Sequence, residues 1–323
     1  MKRLWLICLV LLAFCISGCA SKETPTKEVH ETKVAYEVID EGGRRHIFNE
    51  KPKRIVSLSY GTDEILTELV EANRIVAYCR WAEDTGITFI TKEQFKKVGR
   101  KTDGNAEEVL ALKPDLVLAT TAMSSDMINA LDALGLKVYL ASRPKNYEQM
   151  RQKVLKLGEV VGEKAKGEAL VKEMDERMEK LEAKLSKIPD SKRKTVVAFN
   201  FLSAMGRKGD LIDSMMNKAH IINGVAQIPT ELATGYISKE QVVRVNPDIF
   251  FLATWDYDNK HNIDEYVAQI KNDPAYKDVK AIKNNQIKFV LLKKIGKAVV
   301  DKTVSDDEIR AALKEIVYVE DFE

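Results

Sequence analysis

The sequence predicts an α/β protein made of two lobes joined by a single long helix, and three features of the chain lead to this prediction. Short apolar segments alternate with segments of helical periodicity in both halves, a pattern typical of parallel sheets covered by helices. A highly charged helical stretch over residues 146–189 separates the halves. A Pro-Asp pair enters an apolar strand once in each half, in ALKPDLVLAT and in RVNPDIFFLAT. Two lobes of similar topology would produce this repeat, and chance recurrence of a common turn is the alternative.

The chain opens with two cationic residues and an apolar run over residues 4–16. A helix needs ~20 residues to cross a bilayer, so this shorter run is typical of a secretory signal. The run ends in ISGC, which resembles the bacterial lipobox, where the cysteine is lipidated after cleavage. We therefore expect a signal peptide over residues 1–18, attachment to the lipid bilayer through Cys19, and a flexible tether over residues 19–33. An ordinary signal peptide that contains a cysteine is the alternative.

The mature chain is expected to carry no net charge. Asp and Glu number 49, and Lys and Arg number 51, of which two leave with the leader. This balance argues against a nucleic-acid partner, and a hydrophobic content of 45% is sufficient for two cores. Cys79 is the one thiol left besides Cys19, so we expect no internal disulfide and a small buried side chain at this position. We expect the protein to be a monomer.

The predicted N-terminal lobe spans residues 34–145. It begins with a hairpin that turns at Gly42-Gly43, and strand and helix signals then alternate. Pro114 ends a short helix and leads into the strand DLVLA. The predicted strands are RIVSLS, RIVAYC, ALKPDLVLAT and LKVYLA. The predicted helices between them are TDEILTELV and MINALDALG.

The helix predicted over residues 146–189 carries apolar residues at a spacing of three or four and stops at Pro189. Three glycines, Gly158, Gly162 and Gly167, weaken its middle by ~1 kcal/mol each relative to alanine. We expect one long helix, or two in line with a bend between them.

The predicted C-terminal lobe spans residues 190–323 and resumes the alternation. Its strands and helices are read from TVVAFNF, LIDSMMNKA, KEQVVRV, IFFLAT, IDEYVAQI and QIKFVLL. A last helix, DDEIRAALKEIV, follows Ser305 as its expected N-cap.

Short motifs occur in a fixed order from Tyr36 to Val317. The first half contains Asp40, Gly43 and Arg44, then PKRIVSL, SYGTDEIL and LKPD, and the second half contains ISKEQV, NPD, Asp273-Pro274 and AIKNNQ. In this order, the chain resembles the substrate-binding proteins of ABC importers for ferric siderophores, haem and vitamin B12, which are class III periplasmic binding proteins. The resemblance implies two Rossmann-like lobes with a ligand cleft between them.

The resemblance also implies a partner, an ABC permease dimer with its ATPase subunits. In such proteins one carboxylate at the outer end of each lobe meets arginines of the permease, and the matching residues here are Glu64 and Glu240. The alternative is that both acids complete helix starts, with Thr62 and Ser238 as N-caps.

The expected ligand cleft follows from the rule that α/β sheets bind ligands outside the carboxyl ends of their strands. Aromatic residues are scarce, at 7% of the chain, yet several fall at predicted strand ends. Such a lining suits a large, flat and partly apolar ligand. The alternative for Phe199 and Phe201 is that they belong to the core of the lobe. The predicted cleft residues are Tyr60, Arg80, Trp81, Lys101, Thr121, Phe201, Met205, Trp255 and Tyr257.

The predicted function is capture of a ferric siderophore and its delivery to the permease, with a cobalamin-type corrinoid and then haem as alternatives. We expect no resident cofactor, because the ligand brings its own metal, and no zinc site, because the four histidines are scattered. Tyr60 stands where the family usually has proline, and as a phenolate it offers a ligand for ferric iron.

A hydrolase on this frame would need a Gly-x-Ser-x-Gly elbow, which the sequence lacks. A surface adhesin would have no use for two aromatic strand-end clusters. We therefore expect an exported binding protein and not an enzyme. It would be held at the outer face of the cytoplasmic membrane, or on the periplasmic side in a cell with two membranes.

Overall fold

The computed structural model describes residues 35–84, 86–229, 236–252, 262–289, 291–294 and 297–299. The predicted signal peptide, Cys19, the tether and the tail helix after Ser305 lie outside the described residues. None of the described helices is both long enough and apolar enough to cross a membrane.

The N-terminal lobe contains a hairpin and a five-stranded parallel sheet of strand order β5-β4-β3-β6-β7. Its central strands are buried on both faces, as parallel strands between helices are. In chain order the elements are β1 (Tyr36–Ile39), β2 (Arg45–Phe48), β3 (Ile55–Ser57), α1 (Tyr60–Leu69), β4 (Ile75–Cys79), α2 (Lys92–Val98), β5 (Lys101–Thr102), α3 (Ala106–Ala111), β6 (Leu116–Thr120), α4 (Ser125–Ala133) and β7 (Val138–Ala141).

The hairpin turn is closed by a buried side chain. The Asp40 carboxylate accepts hydrogen bonds from the backbone N–H groups of Gly42 and Arg44, each at 2.9 Å, and lies 3.0 Å from His46 Nε2. It also accepts the backbone N–H of Leu140 in β7 at 3.1 Å. Asp40 therefore attaches the hairpin to the edge of the sheet.

The prediction of one helix, or of two helices in line, over residues 146–189 is wrong. The segment forms two antiparallel helices that pack side by side, α5 (Tyr147–Val160) and α6 (Lys164–Leu185). Gly162, with φ +73°, adopts the left-handed conformation that ends α5 and reverses the chain. The side chain of Asp175, far along α6, accepts hydrogen bonds from Tyr147 and Arg151 at the start of α5.

Glycines allow α5 and α6 to come into close contact. A Cβ at Gly158 would lie only 3.1 Å from Gly167 Cα, so the backbones touch at this crossing. The glycines that weaken the predicted helix are thus the residues that let two helices pack. The first helix belongs to the N-terminal lobe, and α6 alone leads to the second lobe.

The C-terminal lobe has a second parallel sheet of order β10-β8-β11-β12, with β9 antiparallel beside β8. The fold class predicted from the sequence, two parallel α/β lobes joined by a long helix, is confirmed. The elements are β8 (Thr195–Phe199), β9 (Ala204–Met205), α7 (Leu211–Lys218), β10 (Ile222–Asn223), α8 (Lys239–Val245), β11 (Ile249–Leu252), α9 (Ile263–Asn272), α10 (Lys280–Lys283), β12 (Ile287–Phe289), β13 (Leu291–Lys294) and β14 (Lys297–Val299).

The Pro-Asp repeat of the sequence is a structural repeat. Asp115 precedes β6 and accepts the backbone N–H groups of Lys53 and Arg54, at 2.7 and 2.9 Å, just before the neighbouring strand β3. Asp248 precedes β11 and accepts the N–H of Thr195 at the start of the neighbouring strand β8, at 2.9 Å. Each aspartate therefore aligns the two central strands of its own sheet.

Gly162 should be more costly to replace than other left-handed glycines. A Cβ there would lie 2.6 Å from Lys51 Cγ, whereas Gly135 has φ +72° but open space around it. We expect Gly135→Ala to lower the free energy of unfolding by about 1 kcal/mol, from backbone strain alone. Gly162→Ala should lower it by about 2–3 kcal/mol, because overpacking is added. Urea unfolding measures both, and equal losses would contradict the packing described at this turn.

Candidate functional site

The carboxyl edge of the N-terminal sheet carries all five residues that were predicted for the cleft in this half. Because the strands are parallel, the residues at their carboxyl ends share one edge of the sheet. Tyr60, at 41% exposure, opens α1 directly after β3. The others follow β4, lie in β5 or follow β6, and they are Arg80, Trp81, Lys101 and Thr121. All five side chains are exposed or half-buried.

Arg80 and Trp81 form one cationic and aromatic surface. The Arg80 guanidinium carbon lies 4.5 Å from the centroid of the Trp81 ring, within the range of a cation–π interaction. Lys101 differs, because its Nζ lies 2.6 Å from Glu83 Oε2 in an ion pair. The charge of Lys101 is therefore balanced, and among the predicted cleft residues of this edge Arg80 is the cation better placed for an anionic ligand.

Two consecutive acids near the start of α1 hold the loop that carries Arg80 and Trp81. The buried Asp63 accepts the backbone N–H of Cys79 through Oδ2 at 3.0 Å, at the end of β4. The half-buried Glu64 accepts the backbone N–H of Phe89 through Oε1 at 3.0 Å. We call residues 80–88 the cleft loop. The structure describes this loop except for residue 85, and both of its ends are attached to one helical turn.

A buried ammonium group accompanies the two acids. Lys153 of α5 is 6% exposed, and its Nζ would lie 3.8 Å from a Cβ on Gly61 in the same first turn of α1. Burial lowers the pKa of Lys153 to about 8, against the attraction of Glu64 and Asp63. A positive charge beneath the start of α1 therefore offsets the negative charge of the two carboxylates.

Burial dominates the proton affinity of both acids. It raises the pKa of Asp63 to about 7, although the Cys79 N–H favours the ionised form. One of its oxygens, Oδ1, and the Thr62 hydroxyl are buried without a hydrogen-bond partner in the part of the chain that is described. Burial also raises the pKa of Glu64, against hydrogen bonds from Phe89 and Thr88. Of these residues, the sequence analysis predicted a functional role for Glu64 alone.

The two acids predicted to meet a permease lie in different surroundings. Glu240 is fully exposed, and a hydrogen bond with Ser238 keeps the pKa of its carboxyl below the usual value. Ser238 is the N-cap of α8 within a capping box, as expected. The expectation for Thr62 as an N-cap is wrong, because α1 begins earlier, after Ser59, and places Thr62 inside its buried first turn.

In the C-terminal lobe, Phe201 packs on an aromatic residue that the sequence analysis did not single out. Its ring centroid lies 4.9 Å from that of Tyr266, whose hydroxyl donates to the Asn200 carbonyl at 2.8 Å. Phe199 is 5% exposed and belongs to the lobe core, in agreement with the alternative reading. Met205 is half-buried in β9. The remaining predicted cleft residues, Trp255 and Tyr257, lie outside the described residues.

Two further apolar residues are exposed beside β9. Leu202 is 70% exposed and Tyr236 is 72% exposed. The segment of Tyr236 reaches this edge because Ile237 forms an antiparallel bridge with Ala204 and donates its N–H to Ser203 Oγ. Sequence reasoning considered residues that follow strands, so it missed a tyrosine that precedes a helix. Tyr236 directly precedes the motif ISKEQV, and this position in the sequence could have drawn attention to it.

A pocket of about 280 Å³ lies beside the cleft loop. Its lining combines an apolar floor with charged residues at the rim. The lining residues are Ala82, Glu83, Ile90, Thr91, Lys92, Phe95 and Lys96. Two residues of the cleft loop, Ala82 and Glu83, therefore border open space.

Cys79 is a buried, free thiol at 3% exposure, as the sequence predicts, and burial raises its pKa. In the part of the chain that the structure covers, no three of the His, Cys, Asp and Glu side chains are grouped as they would be around a metal ion. His46 contacts Asp40, and His220 lies 3.0 Å from the Ile188 carbonyl oxygen.

Each lobe is built on a parallel sheet, and most of both lobes falls within one family match. The sequence profile of the periplasmic binding protein family matches residues 55–290, and the chain belongs to this family.

Individual relatives extend the comparison. Over 253 residues the chain is 28% identical to the ABC transporter substrate-binding lipoprotein YvrC of Bacillus subtilis strain 168, covering 74% of this chain and 77% of that protein. Over 300 residues it is 24% identical to the Fe(3+)-citrate-binding protein YfmC of the same organism, covering 88% and 89%. A solved periplasmic binding protein from Veillonella parvula has the same fold, with a TM-score of 0.65 at 18% identity, covering 87% of this chain and 97% of that one.

The buried Asp63 should make stability depend on pH. Its carboxyl has a pKa of about 7 in the folded protein and 3.8 as the unperturbed value. The folded state thus keeps a proton that the unfolded chain has lost, and the stability linked to this proton is present below pH 4 and disappears as the pH rises to about 7.

The variant Asp63→Asn carries a neutral side chain at every pH and isolates this effect. We compare the free energy of unfolding of the wild-type protein with that of Asp63→Asn at each pH. The wild-type value minus the variant value should fall by up to about 4 kcal/mol between pH 4 and pH 7. Urea unfolding of both proteins at half-unit intervals measures the difference. A difference that stays constant over this range would show that Asp63 is ionised at low pH in the folded protein.

Proposed function

We propose that this protein is the substrate-binding component of an ABC importer, and that it captures a ferric chelate of the siderophore type between its two lobes. The observation that carries the proposal is the pair of the exposed Arg80 and the half-buried Trp81 at the carboxyl edge of the N-terminal sheet. A guanidinium over an indole ring offers positive charge and a flat apolar face in one place, which suits an anionic chelate with planar donor groups.

The C-terminal lobe supplies the opposite wall of the proposed site. Phe201, Leu202 and Tyr236 form an apolar and aromatic surface near the end of β8. An iron chelate would bring its own metal, so the protein would need no resident cofactor. The relative YfmC is named as an Fe(3+)-citrate-binding protein, which supports an iron chelate over a corrinoid or haem.

We further propose that Glu64 and Glu240 are the contacts to the permease dimer, one in each lobe. Glu240, at the start of α8, is available to a cationic partner as it stands. Glu64 is half-buried and holds the Phe89 N–H. In this proposal Cys19 carries the lipid that keeps the exported protein close to its permease, and the protein binds its cargo without chemical change.

Ligand capture can be tested with the soluble form that begins at Ser21. After removal of the leader, Trp81 and Trp255 are the two tryptophans of the chain. We expect saturable quenching of tryptophan fluorescence by ferric citrate or by a ferric hydroxamate or catecholate siderophore, with absorbance correction. Trp81→Ala should weaken binding about tenfold, since loss of one stacking and cation–π contact is worth roughly 1–2 kcal/mol.

Trp81→Phe is the matched control, because it keeps an aromatic ring beneath Arg80. Calorimetry should show an affinity within about threefold of wild type for this variant. Saturation by cobalamin or haemin with no response to any ferric chelate would refute the ligand class. Undiminished binding of the chelate by Trp81→Ala would refute the site.

A further inference from the structure

The cleft loop is attached at both ends to adjacent residues of a single helix turn. Asp63 holds the N–H of Cys79 before the loop, and Glu64 holds the N–H of Phe89 after it. Successive residues of a helix point about 100° apart, so two neighbouring side chains can reach two separate strand ends. Within the loop, the backbone carbonyl of Asp84 accepts the N–H groups of Ile87 and Thr88, each at 3.0 Å.

The two attachments differ in how easily they can be released. Asp63 is fully buried and cannot be reached from outside without unfolding of the turn. Glu64 is half-buried, so part of this residue reaches the surface while it holds Phe89. The pocket beside the loop, lined by Ala82, Glu83 and Ile90 among others, leaves room for the loop to move once that end is free.

We propose that Glu64 is the releasable attachment of the cleft loop, so that a cationic side chain that docks on this carboxylate loosens the loop bearing Arg80 and Trp81. A guanidinium binds a carboxylate best through both oxygens, and one of them, Oε1, already accepts the Phe89 N–H. In this geometry a docked guanidinium would share Oε1 with Phe89, so we expect docking to weaken the hydrogen bond to Phe89. The Asp63 attachment stays in place and keeps the loop from unfolding altogether.

The inference rests on the proposed function in one respect, since it makes permease docking at Glu64 a trigger for ligand release. The trigger would act in the N-terminal lobe, because Glu240 in the other lobe is exposed and, among the residues that the structure describes, accepts no backbone N–H from a loop. Glu64 would then be a positioning residue for the ligand as well as a contact for the partner.

The attachment can be tested on the free protein, without ligand or permease. Glu64→Ala removes the acceptor of the Phe89 N–H, whereas Glu64→Gln keeps an acceptor oxygen at the same place and loses the charge. Glu68→Ala, on the same helix, removes an exposed carboxylate for which the described contacts show no partner. Amide hydrogen exchange, resolved by residue, reports the state of Phe89 and of the cleft loop.

We expect the Phe89 amide to exchange about tenfold faster or more in Glu64→Ala, and within threefold of wild type in Glu64→Gln and Glu68→Ala. Exchange in the core strands β3 and β6 should stay unchanged, which separates local release from general destabilisation. Unchanged exchange at Phe89 in Glu64→Ala would overturn the proposal. Faster exchange throughout the lobe would overturn it as well, because Glu64 would then be a stability residue only.

A second measurement addresses the ligand. Ferric citrate, released into excess apo-chelator and followed by stopped-flow fluorescence, should dissociate several-fold faster from Glu64→Ala than from wild type or Glu64→Gln. Equal dissociation rates in all three proteins would refute the coupling. Failure of the wild-type protein to bind ferric citrate or any siderophore would instead refute the proposed function, and the exchange result at Phe89 would still decide whether Glu64 holds the loop.

Discussion

The start of α1 is the constraint on which the N-terminal half of the candidate site depends. Two consecutive carboxylates, of Asp63 and Glu64, project from this part of the helix and hold the two ends of the loop that presents Arg80 and Trp81. Carboxylates in such a buried position are costly unless a cation and hydrogen bonds accompany them. Lys153 of α5 supplies the cation from below. The charged cluster of Asp63, Glu64 and Lys153 therefore positions the surface formed by Arg80 and Trp81 without being part of that surface.

The two lobes share a plan, yet their outer ends differ. In both, a Pro-Asp pair aligns the central strands, through Asp115 in one sheet and Asp248 in the other. The acids at the starts of α1 and α8 do not match in the same way, because Glu240 is exposed and Glu64 is engaged with Phe89. A partner that contacts both lobes would meet an exposed carboxylate on one and a half-buried carboxylate that holds a backbone N–H on the other.

Much of the fold could be predicted from the sequence, because alternation of apolar strands and amphipathic helices is a strong local signal. The reversal between α5 and α6 was missed. It depends on one left-handed residue, Gly162, and on a close helix contact that periodicity does not record. For the candidate site, the rule of strand carboxyl ends predicted Tyr60, Arg80 and Trp81, which lie at one edge of the N-terminal sheet. It gave no indication of Tyr236 or Lys153, because distant segments of the chain bring them beside β9 and beside α1 through tertiary packing.

The claim that a ferric chelate is held between the two lobes can be tested directly by anomalous diffraction. Crystals of the soluble form grown with ferric citrate, measured at the iron absorption edge, would locate the metal independently of any assumption about the ligand. The account predicts an iron peak at the carboxyl edges of both sheets, within reach of Arg80 and Trp81 on one side and Phe201 on the other. An iron peak elsewhere on the protein, or none in crystals saturated with the chelate, would contradict it.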